Sequence, residues 1–99
     1  MDNIIKFEQY LKSAENGNSY GQNNLGICYQ NGIGTTKNEK KAFEWYLKSA
    51  ENGNSYGQLS LGFCYQNGIG TTKDEKKAFE WYLKSAENGN SYGQYNIGT

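Results

Sequence analysis

The sequence predicts an all-α fold, a right-handed α-α superhelix (solenoid) of 36-residue helix-turn-helix repeats. Three observations predict it. Sliding the chain of 99 residues by 36 places residues 7–63 over 43–99, with 48 of 57 pairs identical and nine mismatched. Within each copy the apolar residues recur at helical spacing rather than in alternation. Five Asn-Gly pairs close the helical segments, and glycine is free to take the left-handed cap conformation there. Flanking periodicity is helical, so these pairs are not hairpin turns. Helix pairs of this length bury their apolar stripes by stacking on their neighbours, which makes a solenoid. One repeat array covers residues 1–99 as about two and three-quarter units, opening with a first-type helix and ending inside a second-type helix.

Taken in order, a first-type helix runs from Asn3 to Glu15 and stops at Asn16-Gly17. The second-type helix that follows carries Leu25 and Tyr29 on one side and ends at Asn31-Gly32. The next first-type helix has Ala42, Phe43, Tyr46, Leu47 and Ala50 on one stripe and Lys40, Glu44, Lys48 and Glu51 opposite it. Glu44 precedes Lys48 by four, the favourable order for a pair within one helix. Gly53 then terminates the helix, and Asn54 or Ser55 caps its successor. That successor spans about Ser55 to Tyr65, with Leu61 and Tyr65 four apart, and stops at Asn67-Gly68. After the loop Gly68-Ile69-Gly70-Thr71-Thr72-Lys73, Thr72 or Asp74 opens another first-type helix. A last second-type helix begins at Ser91 and runs to Thr99.

These residues resemble the SEL-1-like repeat family, tetratricopeptide-like α/α repeats with a slightly longer unit. The resemblance lies in Gln94-Tyr95-Asn96-Ile97-Gly98, in Asn-Gly-x-Gly at 31–34 and 67–70, in Lys-Ala-Phe-Glu-Trp-Tyr at 41–46 and 77–82, and in the recurring Ala-Glu-Asn-Gly-Asn. It covers the chain from Phe7 onward. Gly21, Gly57 and Gly93 depart from the family's usual alanine, each at a cost of up to about 1 kcal/mol in helix propensity. The resemblance implies an adaptor that holds protein or peptide partners. In some fungi similar arrays accompany protein-kinase domains, which implies an alternative: a spacer or regulatory segment of a larger signalling protein. A cysteine-rich bacterial branch pairs its helices with disulfides, but here each unit has a single cysteine.

Composition narrows the function further. Ten Lys against ten Asp plus Glu leave a formal charge of zero, which argues against the basic footprint of nucleic-acid binding and the basic face of a membrane-surface helix. No apolar run is long enough to span a bilayer. A cytosolic or nuclear location is the simplest expectation. Histidine is absent, so the commonest general base and metal ligand is missing. Cys28 and Cys64 sit one repeat apart on neighbouring helices, farther than a disulfide reaches, and two thiols without histidine make no zinc site. Their expected role is that of small buried hydrophobes. Gly32-Ile33-Gly34-Thr35-Thr36-Lys37 has the wrong glycine spacing, and no preceding strand, for a phosphate loop. No enzymatic activity, cofactor or metal is therefore expected.

Seven of the nine mismatches between copies fall in the second-type helices. They gather on one side, which by analogy with the family lines the inner curve of the solenoid. The expected partner-binding groove consists of Tyr20, Asn23, Asn24, Ile27, Tyr56, Leu59, Ser60, Phe63, Tyr92 and Tyr95, with Leu59 and Phe63 as apolar anchors and asparagines bonding a peptide backbone. Trp45 and Trp81 lie at the edge of their stripes, where packing between repeats competes with partner contact. Ile4 and Ile5 at one end and Ile97-Gly98-Thr99 at the other lead to an expectation of C-terminal fraying, with either end-to-end self-association or truncation from a longer array.

Overall fold

The computed structural model describes residues 2–89. These form five helices: α1 (Asp2–Glu15), α2 (Ser19–Asn31), α3 (Glu39–Glu51), α4 (Ser55–Asn67) and α5 (Glu75–Glu87). No strand occurs among the described residues. Ser91 to Thr99, expected to be helical, lies outside them.

The caps settle the alternatives left open by the sequence. Asn54 accepts from the backbone N–H groups of Tyr56 and Gly57, so it, and not Ser55, opens α4. Asp74 does the same for α5, accepting from Lys77 N–H at 3.0 Å. Each side chain satisfies an amide that the first helical turn would otherwise leave bare. Gly32 and Gly68 end α2 and α4 in the left-handed conformation, and Gly53 follows α3 with φ +83°.

Each helix packs on its neighbours in sequence, and α2 also packs on α4. The most extensive contacts pair α2 with α3 and α4 with α5. Alanine and tyrosine from α3 meet α4 in a cluster of Ala42, Tyr46, Ala50, Leu61 and Cys64, which Ile27, Tyr29, Phe43, Leu47, Tyr65, Ile69 and Trp81 surround. Phe7 meets Tyr29 edge to face at 5.5 Å, and Phe43 repeats this against Tyr65 at 5.5 Å. Burial of this apolar surface is the main source of stability.

Polar links stitch successive units together. Ser49 Oγ donates to the Ser19 carbonyl at 2.7 Å, and Ser85 Oγ to the Ser55 carbonyl at 2.8 Å. Gln22 accepts from Asn52 at 2.9 Å while donating to the Ala14 carbonyl at 3.3 Å. Gln58 repeats both bonds with Asn88 and Ala50. Every buried side-chain nitrogen and oxygen among the described residues has a partner, as a dry interior requires.

Gly21 and Gly57 prove to be more than weak helix formers. A Cβ at Gly57 would run into the side chain of Ser49, and one at Gly21 into Ser13. The glycines let the second-type helix approach that serine closely, which offsets their propensity cost. In the loop, Gly70 (φ +68°) lies against the Glu39 carbonyl and Phe43 Cβ. The Gly-Ile-Gly segment is therefore a connector wedged onto the preceding first-type helix, with Ile69 packed against the core.

Candidate partner-binding face

The expected groove residues come from α2 and α4, held side by side by their mutual contact. Tyr20 and Tyr56, one repeat apart, are 64% and 52% exposed, and Phe63 is 47% exposed. Asn24, Leu59 and Ser60 are half-buried. The Asn24 side chain makes no hydrogen bond among the described residues, so its amide is open to a partner. Tyr92 and Tyr95 lie outside the described residues.

Three expected groove residues face other duties. Asn23 is only 8% exposed, and its carbonyl oxygen accepts from Ser60 Oγ at 2.9 Å. This amide joins neighbouring repeats instead of waiting for a peptide backbone. Its partner Ser60 is engaged in the same bond. Ile27 is half-buried and packs against the core cluster, so it supports the face more than it presents to it.

The first-type helices also depart from expectation in their charges. Glu44 and Lys48 do not form the ion pair that their spacing allows. Among the described residues the ion pairs are Lys37–Glu39 and Lys73–Glu75, both at 3.8 Å and both exposed. Lys48 instead lies over the Trp45 ring at 4.8 Å, and Lys84 over Trp81 at 5.0 Å. An indole face beside an exposed ammonium is a favourable alternative to a solvated carboxylate. Both tryptophans remain half-buried.

Titratable groups in the interior are held in their neutral forms. Burial pushes the Cys64 thiol up to about 12, with Glu39 adding to the shift. Cys28 is also raised by burial, against a smaller opposing effect of Lys6. Burial raises Tyr46 and Tyr82, and their hydroxyls donate to Gln30 and Gln66 at 2.6 and 2.5 Å. Both cysteines are free and buried. A thiol so shielded and so reluctant to ionise lacks the exposed thiolate that nucleophilic chemistry needs. No group of three or more His, Cys, Asp or Glu able to hold a metal occurs among the described residues.

Sequence reasoning missed the polar residues that align this face. Gln22, Ser49 and Asn52 recur as Gln58, Ser85 and Asn88. Their invariance across copies is the signal that marks them as inter-repeat joints, although the variable positions 23 and 60 form one as well.

A model of the Sel1 repeat matches residues 19–54 and 55–90. The chain belongs to the Sel1 repeat family. Each matched unit contains a second-type helix followed by a first-type one, the pairs that contact each other most extensively. Solved Sel1-repeat structures are similar throughout. A Sel1 repeat protein from Oxalobacter formigenes is 39% identical with a TM-score of 0.88, covering 96% of this chain and 39% of that one. The protective antigen c5321 of uropathogenic Escherichia coli strains, which displays an SLR fold, is 42% identical with a TM-score of 0.90, over 96% of this chain and 20% of the antigen. Helicobacter pylori cysteine rich protein B is 30% identical with a TM-score of 0.83, over 88% of this chain and 65% of that protein. The chain thus spans less than two thirds of each of these proteins. By sequence it matches none of the curated proteins. Sel1 repeat proteins are generally protein-interaction scaffolds.

Proposed function

We propose that this Sel1 repeat array is a non-enzymatic adaptor that holds a peptide or protein segment across the α2/α4 face. The observation that carries the reading is exposed aromatic surface on the same helices that hold most of the copy-to-copy variation. Tyr20 and Tyr56, equivalent and unchanged between copies, and Phe63, at a position that varies, are all exposed on α2 and α4. Aromatic side chains are frequent interface anchors because they offer large contact area at low entropic cost. Leu59 and Phe63 supply the apolar centre, Asn24 a free amide, and Tyr20 and Tyr56 a ladder along the stacking direction. No helix among the described residues is long and apolar enough to cross a membrane. The two unpaired thiols support a reducing compartment, cytoplasm or nucleus, as the place of action.

The test is affinity capture with the chain and with a Leu59→Ser, Phe63→Ser variant whose helix content is verified by circular dichroism. Partners retained by the original chain and lost from the variant support the adaptor reading. Identical capture by both proteins removes this face from consideration.

A further inference from the structure

The first-type helices turn to solvent a face that the adaptor reading leaves unused. On α3 the exposed residues Lys41, Glu44, Lys48 and Glu51 fall within an arc of about 80°. Lys77, Glu80, Lys84 and Glu87 repeat the pattern on α5 and are likewise exposed. None of the eight is in an ion pair, since the pairs among the described residues involve only Lys37, Glu39, Lys73 and Glu75. Their ammonium groups are held near aromatic rings instead: Lys41 at 5.5 Å from Tyr29 and Lys77 at 5.4 Å from Tyr65, beside the Lys48–Trp45 and Lys84–Trp81 contacts. Along this face runs a groove of about 560 Å³ to which Leu11, Trp45 and Leu47 contribute apolar walls.

The order of charges is antisymmetric about Tyr46. Lys41 lies as far before that residue as Glu51 lies after it, and Glu44 as far before as Lys48 after. Reversing the helix therefore sets each lysine where a glutamate stood. α5 has the same property about Tyr82. A stripe of this kind is complementary to an antiparallel copy of itself and repels a parallel copy.

The geometry points to a second copy of this chain as the occupant of this face, in a two-fold dimer joined through α3 and α5. The dyad runs along the direction in which the repeats stack, so that α3 lies antiparallel on α3 of the partner and α5 on its own counterpart. Lys41 then faces Glu51 of the partner subunit, and Glu44 faces Lys48 of the partner subunit. A dyad parallel to the helices would set lysine against lysine, so the charges select one arrangement. Trp45 and Trp81, one residue from the dyad level, supply apolar contact beside the charges. α1 adds less: Glu8 and Lys12 keep the inner pair, but Ile5 stands where the outer lysine would be. The dimer leaves the α2/α4 face open in both subunits and makes the adaptor bivalent.

Sedimentation equilibrium from about 10 µM to about 1 mM protein, at about 20 mM and about 500 mM salt, measures the association. A monomer–dimer equilibrium that weakens at least about fivefold in high salt is expected. Two charge variants decide its origin. Lys48→Glu with Lys84→Glu makes the centre of each stripe acidic, and Glu44→Lys with Glu80→Lys makes it basic. Each variant alone dimerises at least about a hundredfold more weakly, because attraction becomes repulsion at every central pair. An equimolar mixture of the two recovers a heterodimer. All four positions are exposed, and circular dichroism verifies that the fold is kept. A chain that stays monomeric throughout, variants that associate like the original, or a mixture that fails to pair each overturn the proposal. So does open-ended growth indifferent to these charges, the signature of end-to-end association.

Discussion

Gly26→Ala separates local propensity from tertiary packing, because the two give opposite signs. Within a helix, alanine is favoured over glycine by up to about 1 kcal/mol. In the folded chain, however, a Cβ at position 26 would stand 2.6 Å from both Cδ1 and Cε1 of Tyr46. That ring is 2% exposed, and its hydroxyl donates to Gln30 at 2.6 Å. Retreat of the ring sacrifices this bond, worth about 1 kcal/mol, while overpacking itself costs about 1–3 kcal/mol. The balance is a loss of about 2 kcal/mol, or about 10 °C in melting temperature for a chain of this size. Urea and thermal unfolding followed by far-UV circular dichroism measure it, with Gln9→Ala on the exposed side of α1 as a control that shifts stability by less than about 0.5 kcal/mol. Repeating Gly26→Ala in a Tyr46→Leu background removes the obstacle, and most of the loss should disappear. A more stable Gly26→Ala variant, or an equal loss without the ring, refutes the packing argument.

Leu61→Ala empties a site that is 0% exposed at the centre of the cluster and should cost about 2–5 kcal/mol in urea unfolding; a loss below about 1 kcal/mol contradicts the core assignment. Ser49→Ala removes the donor to the Ser19 carbonyl and should cost about 1 kcal/mol, with Ser85→Ala adding a similar, independent amount. Cys64 should react with thiol reagents at mildly alkaline pH only through unfolding, so its labelling rate should follow denaturant; fast labelling of the native chain disagrees with its burial. The folded-state values of Cys64, Tyr46 and Tyr82 lie above their ordinary values of 9.0, 10.0 and 10.0, so the unfolded chain loses protons first. Stability should therefore be intact below about pH 9 and fall as pH climbs toward 12, where Cys64 itself ionises in the fold. Urea midpoints across that range test the sign, and Cys64→Ala should delay the onset of the decline.

The sequence by itself determined the period, the helices and their stops. Those signals are local: an apolar stripe at helical spacing, an Asn or Asp placed before each of α2 to α5, and a glycine after every helix. The all-α solenoid followed because a helix pair with one buried stripe must stack on a copy of itself. Much of the candidate face was legible too, since the mismatches between copies gather on α2 and α4, where Tyr20, Tyr56 and Phe63 are exposed.

Only the tertiary structure decided what each side chain on that face does. Asn23 and Asn24 are neighbours of one chemical type, yet the first is locked to Ser60 in the next repeat and the second is open. Gly26 and Gly57 look like propensity losses until Tyr46 and Ser49 are seen against them. Glu44 and Lys48 have the spacing of a pair, but Lys48 turns to Trp45. The physical reason is shared. The two longest of these reaches, Asn23 to Ser60 and Gly26 to Tyr46, span 37 and 20 residues of chain brought near by stacking, and helical periodicity specifies which way a side chain points without specifying what it will meet.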